Sequence, residues 1–151
     1  MQRSVVLVGL GALLLAGCVT VPYTPDEDAV SRVVALIDGH DVGALMEVSR
    51  VPFLFESEIL LRPADVEGLW RGFADAGVVI GSFRIKEVFR VYERRPEWSG
   101  VDMEVAAFFS RYTDRDTTCV ILETVYGEIA FLLGRPVRGV PQILGMRGPA
   151  L

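Results

Sequence analysis

The chain has 151 residues, with 15 basic and 20 acidic side chains and a formal net charge of −5. That length fits one domain beyond any leader. The acidic balance argues against a nucleic-acid-binding role or a polybasic membrane-binding surface.

Met1-Gln2-Arg3 is a short, positive start, and residues 5–15 carry no charged or polar side chain. Eleven apolar positions suit the core of a signal peptide but not a bilayer span, which needs about 20 residues. The run closes on Leu14-Leu15-Ala16-Gly17-Cys18, with small residues just before a cysteine. This run resembles a bacterial lipobox. The resemblance implies residues 1–17 as a lipoprotein signal peptide and cleavage before Cys18. Diacylglycerol would sit on the Cys18 sulfur, often with an acyl chain on the new amine. Each buried methylene contributes about 0.8 kcal/mol, so two or three chains hold a protein firmly where one does not. Val19, not Asp, follows Cys18. By the same resemblance, a source with two membranes implies the outer membrane, facing the periplasm. A source with one membrane implies the outer face of the cytoplasmic membrane.

Residues 18–24 form a short tether stiffened by Pro22, and residues 25–151 form a single domain. Thr24-Pro25-Asp26-Glu27 predicts a helix start with Thr24 as cap and Pro25 at the first helical position. Val30, Val33, Val34 and Ile37 give it one apolar face, and Gly39 ends it. Asp41 is placed to cap a second short helix carrying Leu45 and Val48, stopped by Pro52. Phe53-Leu54-Phe55 and Ile59-Leu60-Leu61 flank Glu56-Ser57-Glu58 as short extended segments or a tight corner. Pro63 opens a third helix, striped by Val66, Leu69, Trp70 and Phe73 and ended by Gly77.

Beyond Gly77 the period changes to two. Phe83, Ile85, Phe89 and Val91 share one parity, with Arg84, Lys86 and Arg90 on the other. Residues 94–100 read as a loop and 103–112 as another strand. Residues 113–116 make a turn. Residues 117–125 make a strand apolar on both parities from Cys119 to Leu122, hence covered on both sides. A turn at Tyr126-Gly127, a strand over 128–133, a looser connection over 134–141 and a last strand over 142–147 complete the series.

Helices first and an antiparallel meander after them predict an α+β fold, with N-terminal helices packed on a curved antiparallel sheet. This element order, over residues 24–148, resembles the NTF2-like group of cone-shaped domains. The resemblance implies a pocket between helices and concave sheet, used in some members for isomerase or dehydratase chemistry and in many for binding or association alone. Fold does not choose among these.

No catalytic motif of that group is matched. His40 is the only histidine and lies in a helix–helix turn. No HExxH or CxxC spacing offers a metal site, and none is expected. Glu47, Glu56 and Glu58 lack the ligand density of a calcium loop. The glycines at 134, 139 and 145 lack the spacing of a phosphate or dinucleotide loop, so no cofactor is expected. Cys119 reads as a small buried hydrophobe. Glu87 departs from this pattern. In a regular strand it shares the parity of Phe83 and Ile85 and points inward, where a carboxyl needs a partner and becomes a candidate general acid or base. Arg111, Tyr112 and Asp114 are then candidate partners. A bulge between Lys86 and Val88 would turn Glu87 out, and Val88, which breaks the polar face, favours it.

Two function classes follow. The leading one is a lipid-anchored envelope domain that binds or scaffolds without catalysis, with an envelope protein or, as a separate option, a second copy of itself as partner. The alternative is a small-molecule pocket protein, an isomerase or lyase using Glu87.

Overall fold

The structure is a computed structural model describing residues 21–97 and 102–149. Residues 1–17 and Cys18 lie outside the described residues. The described chain runs α1 (Glu27–Asp38), α2 (Val42–Val48), β1 (Ser49–Phe55), β2 (Glu58–Leu60), α3 (Pro63–Asp75), β3 (Phe83–Arg90), α4 (Met103–Tyr112), β4 (Thr118–Thr124), β5 (Gly127–Val137) and β6 (Val140–Arg147).

Among the described residues the strands form one sheet in the order β2-β1-β6-β5-β4-β3. From β3 to β6 the chain meanders antiparallel, and β1 returns beside β6 as a parallel neighbour. The last strand is therefore central, between β1 and β5.

The sheet separates two cores. On one face α1, α2 and α3 pack Val30, Val33, Ile37, Leu45, Val66 and Trp70 against Phe53, Val120, Leu122, Phe131 and Ile143. On the other, α4 packs Val105, Phe108 and Phe109 against Leu54, Cys119, Leu132 and Leu144. Each fully buried side chain of this size contributes roughly 1.5–3 kcal/mol. Both parities of β4 are needed, as the unbroken run Cys119-Val120-Ile121-Leu122 implies. Trp70 is core, 1% exposed, its indole N–H donating to Ser49 Oγ at 2.9 Å.

Four sequence expectations change. The cap of α1 is Asp26, not Thr24: its carboxylate accepts from the Ala29 N–H at 2.8 Å, and Pro25 stays outside the helix. Pro52 does not stop α2, which ends at Val48; it lies in β1, where the pairing with β6 shifts register between Ser49 and Leu54 and a missing N–H is tolerated. The connection over 134–141 is mostly strand. Pro136 faces Pro141, and the turn is only Arg138 and Gly139, both at positive φ.

The fourth change is the largest. Residues 103–112 are helix, not strand. Asp102 caps it through the Glu104 N–H at 2.8 Å, and Val105, Phe108, Phe109 and Tyr112 recur at helical spacing. The adjacent Phe108 and Phe109 both reach the sheet, which strand alternation forbids.

Candidate functional site

β3 sets the geometry of the candidate site. Its ladder with β4 pairs Ile85 with Leu122 and then Glu87 with Ile121, so Lys86 and Glu87 together oppose one residue. This is the bulge that Val88 signalled. It swaps parity: Phe83, Ile85 and Val88 face the three-helix core, whereas Glu87 and Phe89 face the α4 side. Glu87 therefore does not point between the N-terminal helices and the sheet, and the inward reading is corrected.

On the α4 side, register places Glu87, Ile121, Ala130 and Arg147 in one row across β3, β4, β5 and β6. α4 packs on the neighbouring row of Cys119 and Leu132, and Ala130 and Ile121 of this row border the same cluster. Among the described residues a cleft of about 440 Å³ opens beside this row, with Phe89, Ile121 and Ala130 as floor. At one wall Arg94 binds Glu87 (2.6 Å) and lies over the Phe89 ring, 3.7 Å from its centroid. A hydrogen bond from the Arg94 N–H to the Arg90 carbonyl folds that side chain back after β3. Lys86 pairs with Glu128, which raises the lysine pKa through the hydrogen bond and the charge. With side chains 41% and 55% exposed, the Glu87–Arg94 pair is a surface salt bridge, worth about 0–1 kcal/mol. The Glu87 carboxylate is paired and water-accessible, not enclosed by apolar groups.

The proposed partners of Glu87 lie elsewhere. Arg111 is exposed on the last turn of α4. Tyr112 packs its ring on Phe108 at 5.6 Å. Asp114 accepts from the Thr117 hydroxyl and the Asp116 N–H in the turn before β4. Among the described residues none of the three bonds to Glu87. Arg94 and Arg147 were missed by sequence reasoning. No spacing rule brings a residue seven positions along, beyond the strand end, back onto Glu87, and Arg147 reaches the row only through two intervening strands.

A second cleft, of about 430 Å³, opens on the three-helix side beside the β4–β5 turn. Phe73, Val78, Ile80, Ile129, Met146 and Pro149 make it apolar. Its rim is fixed by α1: Asp38 accepts from the N–H groups of Ile80 and Gly81, and His40 Nε2 meets the Val78 carbonyl at 2.9 Å. His40 thus ties the α1–α2 turn to the loop after α3, a tertiary hydrogen bond and not the local one that its place between two helices implies. Around this cleft Val79, Val125 and Tyr126 are exposed.

The opposite end of the strands holds the tether. The Tyr23 N–H donates to Asp116 Oδ1 at 3.0 Å, and Arg135 reaches Asp116 Oδ2 at 2.6 Å. Arg135 first, then the Tyr23 N–H, holds the Asp116 carboxyl below the usual range. Burial raises the pKa of the Tyr23 hydroxyl, with Asp26 adding to the effect.

Neither a family model nor a curated protein matches this chain. Two solved structures show a limited likeness. The beta subunit of the benzoate 1,2-dioxygenase from Burkholderia mallei is 12% identical, with a TM-score of 0.41, covering 83% of this chain and 90% of that one. Aln2 from a Streptomyces species is 14% identical, with a TM-score of 0.41, covering 83% of this chain and 92% of that one. No residue role passes from either to this chain. Its own topology makes it an α+β domain with helices packed on a six-stranded sheet.

Proposed function

We propose that this protein is a lipid-anchored cell-envelope domain that acts by binding, not turnover. Lipid on Cys18 holds it to a bilayer, and the far end of its sheet meets a partner. The supporting observation is the Tyr23–Asp116 hydrogen bond. It ties the chain, five residues after Cys18, to the turn before β4. Five extended residues reach at most about 18 Å, so that turn stays near the bilayer. β4 leads from there to Val125 and Tyr126, roughly 23 Å further at about 3.3 Å per residue. Exposed Val79, Val125 and Tyr126 around an apolar cleft form the kind of patch that marks an interaction surface. The partner is an envelope protein or a second copy of the chain. With two membranes the site is the outer membrane, facing the periplasm.

The test is a photo-crosslinking residue at Tyr126 in the full chain, expressed in bacteria, beside a control at Arg115. A crosslinked species is expected from position 126 and not from 115, together with palmitate incorporation that Cys18→Ala abolishes. Normal labelling of Cys18→Ala would remove the anchor. Equal crosslinking from both positions, or none from position 126, would remove the binding end.

A further inference from the structure

We infer that the cleft on the α4 side binds a small monocarboxylate with an apolar body, held by Arg147. This site lies on the opposite face of the sheet from the apolar cleft and does not depend on the lipid anchor.

The cations of the cleft are not equivalent. Lys86 is paired with Glu128, and Arg94 with Glu87. Arg147 lines the same cleft, half-buried, and its guanidinium has no hydrogen-bond or ion-pair partner among the described residues. Its position is fixed by the β5–β6 ladder, where it faces Ala130, and by the next residue, whose Gly148 N–H donates to Glu56 Oε1 at 2.7 Å. A guanidinium that springs from a fixed backbone position and lacks a partner offers a planar fork of donors, which matches a carboxylate in two parallel hydrogen bonds.

The rest of the cleft defines the body of the ligand. From Arg147 the row passes Ala130 and Ile121 before it reaches Glu87, three strand spacings or about 14 Å away. That middle stretch offers no hydrogen-bonding side chain, and Phe89 closes it beneath Arg94. The volume of about 440 Å³ lies within the usual range for small-ligand sites. A doubly charged phosphate fits poorly. Glu97 and Glu128 also line the cleft, and among its described cations only Arg147 lacks an anionic partner. One negative charge, followed by an apolar segment, satisfies both the arginine and the floor. A free acid and the C-terminus of an apolar peptide share this chemistry.

The experiment uses the full chain in lipid nanodiscs, with empty nanodiscs as reference. Saturation-transfer NMR titrations compare phenylpropionate with its neutral amide, and N-acetyl-Ala-Phe with its C-terminal amide. Each acid is expected to bind at least about tenfold more tightly than its amide, the scale of a charge-assisted hydrogen bond. Arg147→Gln removes that preference. Arg147→Lys keeps the charge without the fork and gives an intermediate loss, while the thermal midpoints of both variants stay near that of the parent. Tighter binding of phenylpropionate identifies a free acid as the source, and tighter binding of the peptide identifies a chain terminus. Equal affinity for acid and amide, an unchanged preference in Arg147→Gln, or no binding of either acid would overturn the assignment.

Discussion

Phe108→Ala isolates the element on which the second core depends. Phe108 is fully buried and sits in the α4-side cluster with Leu54, Val91, Phe109, Cys119 and Leu132. Its ring meets Phe109 and Tyr112 at centroid distances of 5.8 and 5.6 Å. Losing the ring forfeits its burial, roughly 1.5–3 kcal/mol. The sheet on one side and the helix backbone on the other limit collapse into the space, so a cavity term adds to this. A total of about 3–5 kcal/mol follows. Against a typical domain stability of roughly 5–15 kcal/mol, that is about a fifth or more. Urea unfolding read by tryptophan fluorescence measures it, with Met103→Ala as the control. Met103 is on the same helix but 85% exposed, and its change should stay within about 0.5 kcal/mol. A loss below about 1 kcal/mol at Phe108, or similar losses at both positions, would refute the packing of α4 on the sheet.

Two further outcomes follow from the same core. Gly145→Ala should lower stability by about 1–3 kcal/mol or more, read as a fall in thermal midpoint. A Cβ there would lie 2.5 Å from the Leu54 carbonyl oxygen and 2.9 Å from Leu54 Cβ, where β1 and β6 run parallel and neither backbone is free to withdraw. Cys119 should resist alkylation in the folded protein and react only on unfolding. Burial pushes its thiol up from 9.0 to about 12. A raised folded-state value means that this contribution to stability is intact below pH 9 and is lost as pH rises from 9 towards 12. Thermal midpoints should fall across that window, and less so in Cys119→Ala. Rapid labelling at neutral pH would contradict the burial.

The sequence by itself determined the elements whose signals are local. The stripes of α1 and α3, the Asp41 cap, and the positive-φ stop at Gly77 depend on neighbours within a few residues. The two-sided apolar run of β4 likewise announced a strand covered on both faces. Val88, breaking the polar parity of β3, announced the bulge. What misled were signals with two physical readings. Pro52 reads as a helix stop and residues 134–141 as a connection, yet both belong to strand where the register shifts. Residues 103–112 carry Val105 and three aromatic residues and read as strand, although the Asp102 cap and the spacing of Val105, Phe108, Phe109 and Tyr112 favour a helix.

The candidate site belongs to the tertiary structure. Glu87, Ile121, Ala130 and Arg147 come from four strands, and only the register of three ladders aligns them. Arg94, not Arg111, Tyr112 or Asp114, meets Glu87 because the chain folds back after β3. The bulge decides which face Glu87 occupies, and pairing register decides which side chains share that face with it. Local sequence sets the period of each element; pairing register and packing set which side chains share a surface.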